Sequence, residues 1–279
     1  MRQHGLMARL PGSDRPVDRE IAYAKINLAL HVRGRRDDGY HDLETIFAFC
    51  ADGDVVEARA ADTLSLTIDG PYSANLSTTD NLVLRAAEML GQGRGAAIQL
   101  TKNLPVASGI GGGSADAAAT LRLLSRVWGI EGDLHGIAAR LGADVPACVA
   151  STTARGEGRG DQLVACDSDV SGMAVLLVNP SVPLSTAAVF ETWDGVDKSA
   201  LYDWRVGRND LELPARSLVP QIGNLIDWLM VQARVTTARM SGSGATCFAL
   251  FADAADCAAV AKAAAHKFPG YWTMQSVLR

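Results

Sequence analysis

The stretch Leu104-Pro-Val-Ala-Ser-Gly-Ile-Gly-Gly-Gly-Ser-Ala-Asp-Ala-Ala-Ala119 is built for an anion. It sets Gly109, Gly111, Gly112 and Gly113 directly before an alanine-rich helix start. Glycine admits positive φ and lets backbone approach a ligand closely. The first turn of a helix offers unpaired N–H groups and the positive end of the helix dipole, so the two features together suit a phosphate. No Gly-Lys-Ser/Thr follows the glycines, so this is not a Walker loop, and it is not a clean Gly-x-Gly-x-x-Gly dinucleotide fingerprint. Taken alone, a glycine turn before a helix is as readily a plain tight loop. Ser114, Ala115, Ala117, Ala118 and Ala119 tilt the balance, because small side chains leave room for a bulky anion.

Two other positions carry the chemistry such a site needs. Lys25 is a cation two residues from Asn27, and Asp144 is a carboxylate in Gly142-Ala-Asp-Val-Pro146. An ammonium can pair with negative charge, and a carboxylate can accept a proton. Individually each has an ordinary explanation. A lysine on a strand usually faces water, and an aspartate at a helix boundary usually caps it.

The elements that would hold these residues can be read from periodicity. Residues 21 to 32 alternate as a strand, with Ala22, Ala24, Ile26, Leu28, Leu30 and Val32 on one face. Lys25 and Asn27 share the other face with Tyr23, Ala29 and His31, about 7 Å apart at ~3.3 Å per residue. Further strands are expected over 43–49, 55–58, 63–68, 96–101, 174–178, 236–240, 246–251 and 272–278. Helices are expected over 81–90 (capped by Asp80 and ended by Gly91), 114–128, 133–141, 217–231 and 254–267. Pro146 disfavours helix at the residue before it, so the backbone around Asp144 is expected to leave helical geometry. Residues 194–210 read as a loop. Strands precede and alternate with helices, which predicts an α+β fold in two lobes. Glycine, aspartate and serine are dense over 155–172. A lobe boundary is therefore expected there, dividing 21–165 from 166–279 after a flexible extension over 1–20.

Composition removes other classes. A net charge of −5 argues against a broad nucleic-acid-binding surface, and no apolar run reaches the ~18–20 residues needed to cross a bilayer. The N-terminal twenty residues lack the apolar core of a signal peptide. The five cysteines are scattered and form no Cys-x-x-Cys, and no His-Glu-x-x-His occurs. A disulfide framework or zinc site is thus not expected, and a reducing cytoplasm is.

In order along the chain, Ala24-Lys-Ile-Asn-Leu28, Asp38-Gly-Tyr-His41, Gly111-Gly-Gly-Ser-Ala-Asp116, Gly142-Ala-Asp-Val-Pro146, Asn209-Asp-Leu-Glu212 and Ser241-Gly-Ser-Gly-Ala245 resemble the GHMP kinase superfamily. Each piece is weak and the set is specific, covering roughly 21–279. They look most like the branch whose acceptor is a cytidine diphosphate-linked methylerythritol. The resemblance implies a two-lobed GHMP kinase fold with the active site in the inter-lobe cleft, and phosphoryl transfer from ATP with Mg²⁺ to the 2-hydroxyl of that acceptor. It implies Lys25 and Asp144 as catalytic residues. It implies a nucleotide grip from Pro105, Val106, Ala107, Ser108, Gly109, Ile110, Gly111, Gly112, Gly113 and Ser114, with Asn81 and Lys102 lining the adenosine pocket. Ser114 is also the candidate Mg²⁺ ligand. Asn27, Tyr40, His41, Thr186, Phe190, Gly242 and Ser243 are implied on the substrate side, Tyr40 and Phe190 stacking the cytosine. Ala107 and Ser108 stand where glycines often sit in the family, which implies altered loop flexibility. The partner is then a small molecule, with no nucleic acid or membrane, and the chain a monomer or weak homodimer. A mevalonate or homoserine kinase of the same superfamily, and a non-enzymatic relative, are the competing readings. Tyr40, His41 and Phe190 argue against the first, and Lys25, Asp144 and the intact glycine loop against the second.

Overall fold

The computed structural model describes residues 17–74, 76–166 and 169–279. Its first sheet is built on a long antiparallel pair, β1 (Asp18–Arg35) and β2 (His41–Ala60). The other edge of β2 takes two shorter strands, β4 (Ala96–Thr101) along its second half and β5 (Ala154–Glu157) along its first. β3 (Ser65–Asp69) runs parallel to β4, and β6 (Gln162–Ala165) pairs with β5. Four helices, α1 (Leu82–Gly91), α2 (Gly112–Trp128), α3 (His135–Leu141) and α4 (Val145–Ala150), share one core with this sheet. The second sheet runs β10-β7-β9-β8, all antiparallel: β7 (Ala174–Asn179), β8 (Thr237–Met240), β9 (Cys247–Phe251) and β10 (Trp272–Val277). With it lie α5 (Thr186–Glu191), α6 (Glu212–Leu218), α7 (Pro220–Met230) and α8 (Ala254–Lys267).

The core explains the apolar runs. Along β7, Leu176 and Val178 join the helices of the second half, whereas Val175 and Leu177 face the first sheet. β9 divides in the same way, Cys247, Ala249 and Phe251 against Phe248 and Leu250. Both strands are buried on both faces, so they read as continuous hydrophobic segments. The order is therefore helices, sheet, sheet, helices, with the sheets packed face to face.

Several sequence expectations need correction. The extension ends before residue 20, because Asp18, Arg19 and Glu20 already belong to β1. Residues 1–16 lie outside the described residues. The single alternation over 21–32 is interrupted by bulges at Tyr23/Lys25 and Asn27/Ala29. Between Tyr23 and Lys25 the extra residues lie on β2, and between Asn27 and Ala29 β1 itself carries one extra residue; both shifts re-aim β1. Ala22 thus packs with the first helices, Ala24, Ile26 and Leu28 between the sheets, and Leu30 and Val32 with the second helices. The segments 43–49 and 55–58 are one strand. Asn81, not Asp80, caps α1, its side chain accepting from the Val83 N–H at 2.9 Å. Asp144 stays helical at φ −83°, and Pro146 sits in the first turn of α4, where its missing N–H costs nothing. Pro220 likewise opens α7 and divides the expected helix over 217–231 in two. The Gly-rich stretch after 153 carries the β5–β6 hairpin, a structure its composition did not announce.

Candidate active site

A cleft of ≈ 480 Å³ runs between the two halves. On one wall, β1 carries Lys25 and Asn27 side by side, the Lys25 ammonium donating to Asn27 Oδ1 at 3.0 Å. The same Nζ lies 3.0 Å from Asp144 Oδ2, at the N-terminal boundary of α4. The pair is asymmetric: the Lys25 side chain is 5% exposed and that of Asp144 36%. The ammonium also lies 5.1 Å from the centre of the Phe47 ring. The anion thus faces the cleft while the cation is fixed behind it. Cys148, one helical turn beyond Asp144, is fully buried and its thiol is pushed up to about 12 by burial, so it takes no part as a nucleophile.

The glycine loop enters from the opposite side. Gly109 and Gly111 both have positive φ, +79° and +67°. Gly111 caps α2 with no side-chain hydrogen bond, so the first amides of this 17-residue helix open toward the cleft. Ala107, Ser108, Gly109, Gly111, Gly112, Gly113 and Ser114 all line it. The loop is held against the site by two backbone bonds, Lys25 N–H to the Ile110 carbonyl (3.0 Å) and Thr246 N–H to the Ser108 carbonyl (3.1 Å). Ser241 adds a third link: its hydroxyl donates to the Gly109 carbonyl at 2.8 Å and accepts the Asn27 N–H at 3.1 Å. Gly242 and Ser243 in the same turn, together with Thr186 and Phe190, complete the cleft wall. The hydroxyls of Thr186 and Ser243 lie 2.8 Å apart.

A smaller pocket of ≈ 210 Å³ opens beside the loop, lined by Asn81, Lys102, Pro105, Val106, Ala107, Gly112 and Gly113 among others. Two expected nucleotide contacts change character here. Ile110 is 0% exposed and packs between the two sheets, so it meets neither cavity. Lys102 is buried, and its ammonium is committed to Asp54 and, at 2.8 Å, to Asp116. Burial acts to lower the Lys102 pKa, but the two carboxylates outweigh it and hold the ammonium above the usual lysine range. Asp54 also accepts the N–H groups of Asn103 (2.6 Å) and Leu104 (2.8 Å), which anchors the strand-to-loop junction.

The expected base-stacking group is assembled only in part. His41 stacks on Phe190, ring centres 4.7 Å apart, and meets Trp193 edge-on at 5.6 Å. Burial and the nearby Arg35 lower the His41 pKa, leaving a neutral ring that can both donate and accept. At van der Waals contact, His41 and Phe190 leave no slot between them. Tyr40 stands outside the cleft, 55% exposed, with the Arg159 guanidinium 5.2 Å from its ring centre. Arg159, Thr45 and Phe47 line the cleft and were not anticipated. Arg159 sits in a hairpin that composition hid. Thr45 and Phe47 lie on β2, with nothing but strand alternation to mark them.

Two family models match the chain, GHMP kinases N terminal domain over residues 81–152 and GHMP kinases C terminal over 190–270. The chain is 53% identical to the 4-diphosphocytidyl-2-C-methyl-D-erythritol kinase of Rhizorhabdus wittichii, the match spanning 93% of this chain and 94% of that one. It is 50% identical to the corresponding kinase of Novosphingobium aromaticivorans over 98% and 97%. A crystal structure of 4-(cytidine 5'-diphospho)-2C-methyl-D-erythritol kinase superimposes with a TM-score of 0.80 at 29% identity, covering 93% of this chain and 99% of that one. Homoserine kinase from Cytophaga hutchinsonii shares the fold alone, with a TM-score of 0.67 at 16% identity. The chain belongs to the GHMP kinases, in the family of 4-diphosphocytidyl-2-C-methyl-D-erythritol kinases.

Proposed function

We propose that this small-molecule kinase transfers the γ-phosphoryl group of ATP to the 2-hydroxyl of 4-diphosphocytidyl-2-C-methyl-D-erythritol, a step in making isoprenoid precursors. The observation that carries the mechanism is the Lys25–Asp144 pair, 3.0 Å apart and facing the open first turn of α2. The triphosphate lies along the loop from Ala107 to Ser114, its terminal phosphate against the amides of Gly112, Gly113 and Ser114, where helix dipole and N–H groups favour negative charge. Adenosine extends into the pocket beside Asn81 and Pro105, whose floor is the paired Lys102. The acceptor oxygen attacks phosphorus and the bond to the β-phosphate oxygen breaks, releasing ADP. The alcohol proton passes to Asp144, and Lys25 stabilises the charge on the transferring group.

Among the described residues no three acidic, histidine or cysteine side chains cluster as a metal cage, and none is needed. Mg²⁺ keeps several waters and takes one or two protein ligands besides phosphate oxygens. The Ser114 hydroxyl lines the cleft and fits that requirement, and the ion would neutralise phosphate charge there. The acceptor's cytosine end is assigned to the Tyr40, His41 and Phe190 group, with Thr186 and Ser243 along the linking chain. No helix among the described residues is long and apolar enough to cross a membrane, and a cytoplasmic location accords with that.

The test is ADP formation with ATP, Mg²⁺ and each of three acceptors. Turnover is expected with the cytidyl compound and absent with mevalonate and homoserine; the reverse pattern overturns the assignment. Asp144→Asn is expected to cut kcat by about two orders of magnitude and leave ATP affinity unchanged. Near-normal turnover in that variant removes Asp144 as the proton acceptor.

A further inference from the structure

Lys25 can serve its charge only if its side chain is held still, and the hydrogen bonds around it run in one compulsory direction. An ammonium only donates, so the atom of Asn27 at 3.0 Å from Nζ must be the amide oxygen. The amide nitrogen then faces Thr45 Oγ1 at 2.7 Å, which must accept. Thr45 has one hydroxyl hydrogen, and it is committed to the Ala29 carbonyl at 2.7 Å. That carbonyl belongs to the β-bulge between Asn27 and Ala29, and Thr45 is the cross-strand partner of Leu30 beside it. The chain Ala29, Thr45, Asn27, Lys25 therefore has a single polarity, and every member of it is buried.

We infer that Thr45 is a positioning residue for phosphoryl transfer: by accepting from the Asn27 amide it fixes which end of that amide faces Lys25. This rests on the role given to Lys25 above. Without the hydroxyl, the Asn27 nitrogen loses its acceptor in a buried site. The amide is then free to turn its N–H groups toward the ammonium, which repels them. Lys25 would shift relative to Asp144, and errors of even a fraction of an ångström at a reacting centre are costly.

Thr45→Val keeps the shape and removes the hydroxyl. The expected result is a fall in kcat of about tenfold, the factor equivalent to one net hydrogen bond, with KM for ATP and for the acceptor within about twofold of normal. Thr45→Ser restores most of the loss. Added to Asn27→Ala, Thr45→Val has no further effect on kcat, because both act along one chain. Urea midpoints taken alongside separate a loss of fold from a loss of orientation. A Thr45→Val enzyme with unchanged kcat, with the defect confined to KM, or with a loss that multiplies that of Asn27→Ala overturns the inference. Lys25→Met is the companion variant. If it loses turnover while Thr45→Val keeps it, only the role of Thr45 falls; if it keeps full turnover, the role of Lys25 falls with it.

Discussion

Replacing Gly109 with alanine asks whether the phosphate loop is braced from behind. At this position φ is +79°, and a Cβ would lie 2.4 Å from the Ser241 carbonyl oxygen and 2.6 Å from that of Gly244. Side-chain carbons essentially never approach closer than 3.0 Å, so loop and turn must part by more than half an ångström. Both obstacles are backbone, and no rotamer change relieves them. The left-handed conformation costs alanine about 1–2 kcal/mol and the overpacking about 1–3, so a loss of about 2–5 kcal/mol is expected in urea unfolding. The same displacement strains the Ser241 hydroxyl bond to the Gly109 carbonyl and moves the α2 amides away from Lys25. A shift of that size lowers kcat/KM for ATP by about ten- to a hundredfold. Gly113→Ala is the internal control for stability. Its φ is not in the left-handed region and the nearest atom to a Cβ is Leu82 Cδ1 at 3.7 Å, so unfolding should be unchanged or slightly harder. A Gly109→Ala protein within about 1 kcal/mol of normal stability and with unchanged ATP kinetics refutes the bracing.

Two other outcomes follow from the same structure. Ala107 occupies the left-handed region at φ +50°, so Ala107→Gly should raise stability by ~0.5–1 kcal/mol, the strain relieved less the added unfolded-chain entropy; a less stable variant contradicts this. Burial lowers the His31 pKa from 6.5, and the Arg208 N–H donates to its Nε2, so the folded ring stays neutral with its proton shared with the Ser199 carbonyl. As pH falls through 6.5 the unfolded chain takes up the proton first, so stability declines from there down to the folded pKa. His31→Gln should flatten that decline in urea midpoints measured between pH 7 and 5, and identical slopes in the two proteins would rule His31 out as its source.

Where a segment carries its own period and its own ends, the sequence was enough. The strand over Ala96–Thr101 and the helix over Ala254–Lys267 match the expected limits, the helix because Asp253 caps it and the alanine stripe repeats. Lys25 and Asn27 share a face because two residues separate equal sides of a pleat. The register shifts between β1 and β2 left no mark, since the apolar residues of β1 on either side of each are small or branched and alternate regardless of which core they enter. Ile110 illustrates a second limit. Motif membership placed it among ligand contacts, while packing between two sheets, from residues far along the chain, decided its environment. The partners of Lys102 were hidden for a related reason: Asp54 lies 48 residues away and joins it only through the β2–β4 pairing. Thr45 belonged to no motif, and its significance comes entirely from which atom its hydroxyl hydrogen reaches.

One strand stitches all three cores. β1 gives Ala22 to the first, Ala24, Ile26 and Leu28 to the middle one, and Leu30 and Val32 to the last. The halves on either side of the cleft are therefore not hinged like jaws, because swinging one away would tear apolar side chains from a shared spine. Access for two bulky substrates has to come from the rim, from the turn bearing Tyr40 and the short helix bearing Phe190, while the floor with its lysine stays put. Severing the chain between the two sheets should accordingly yield fragments that leave the facing surface of each sheet bare to water, and neither should stand alone.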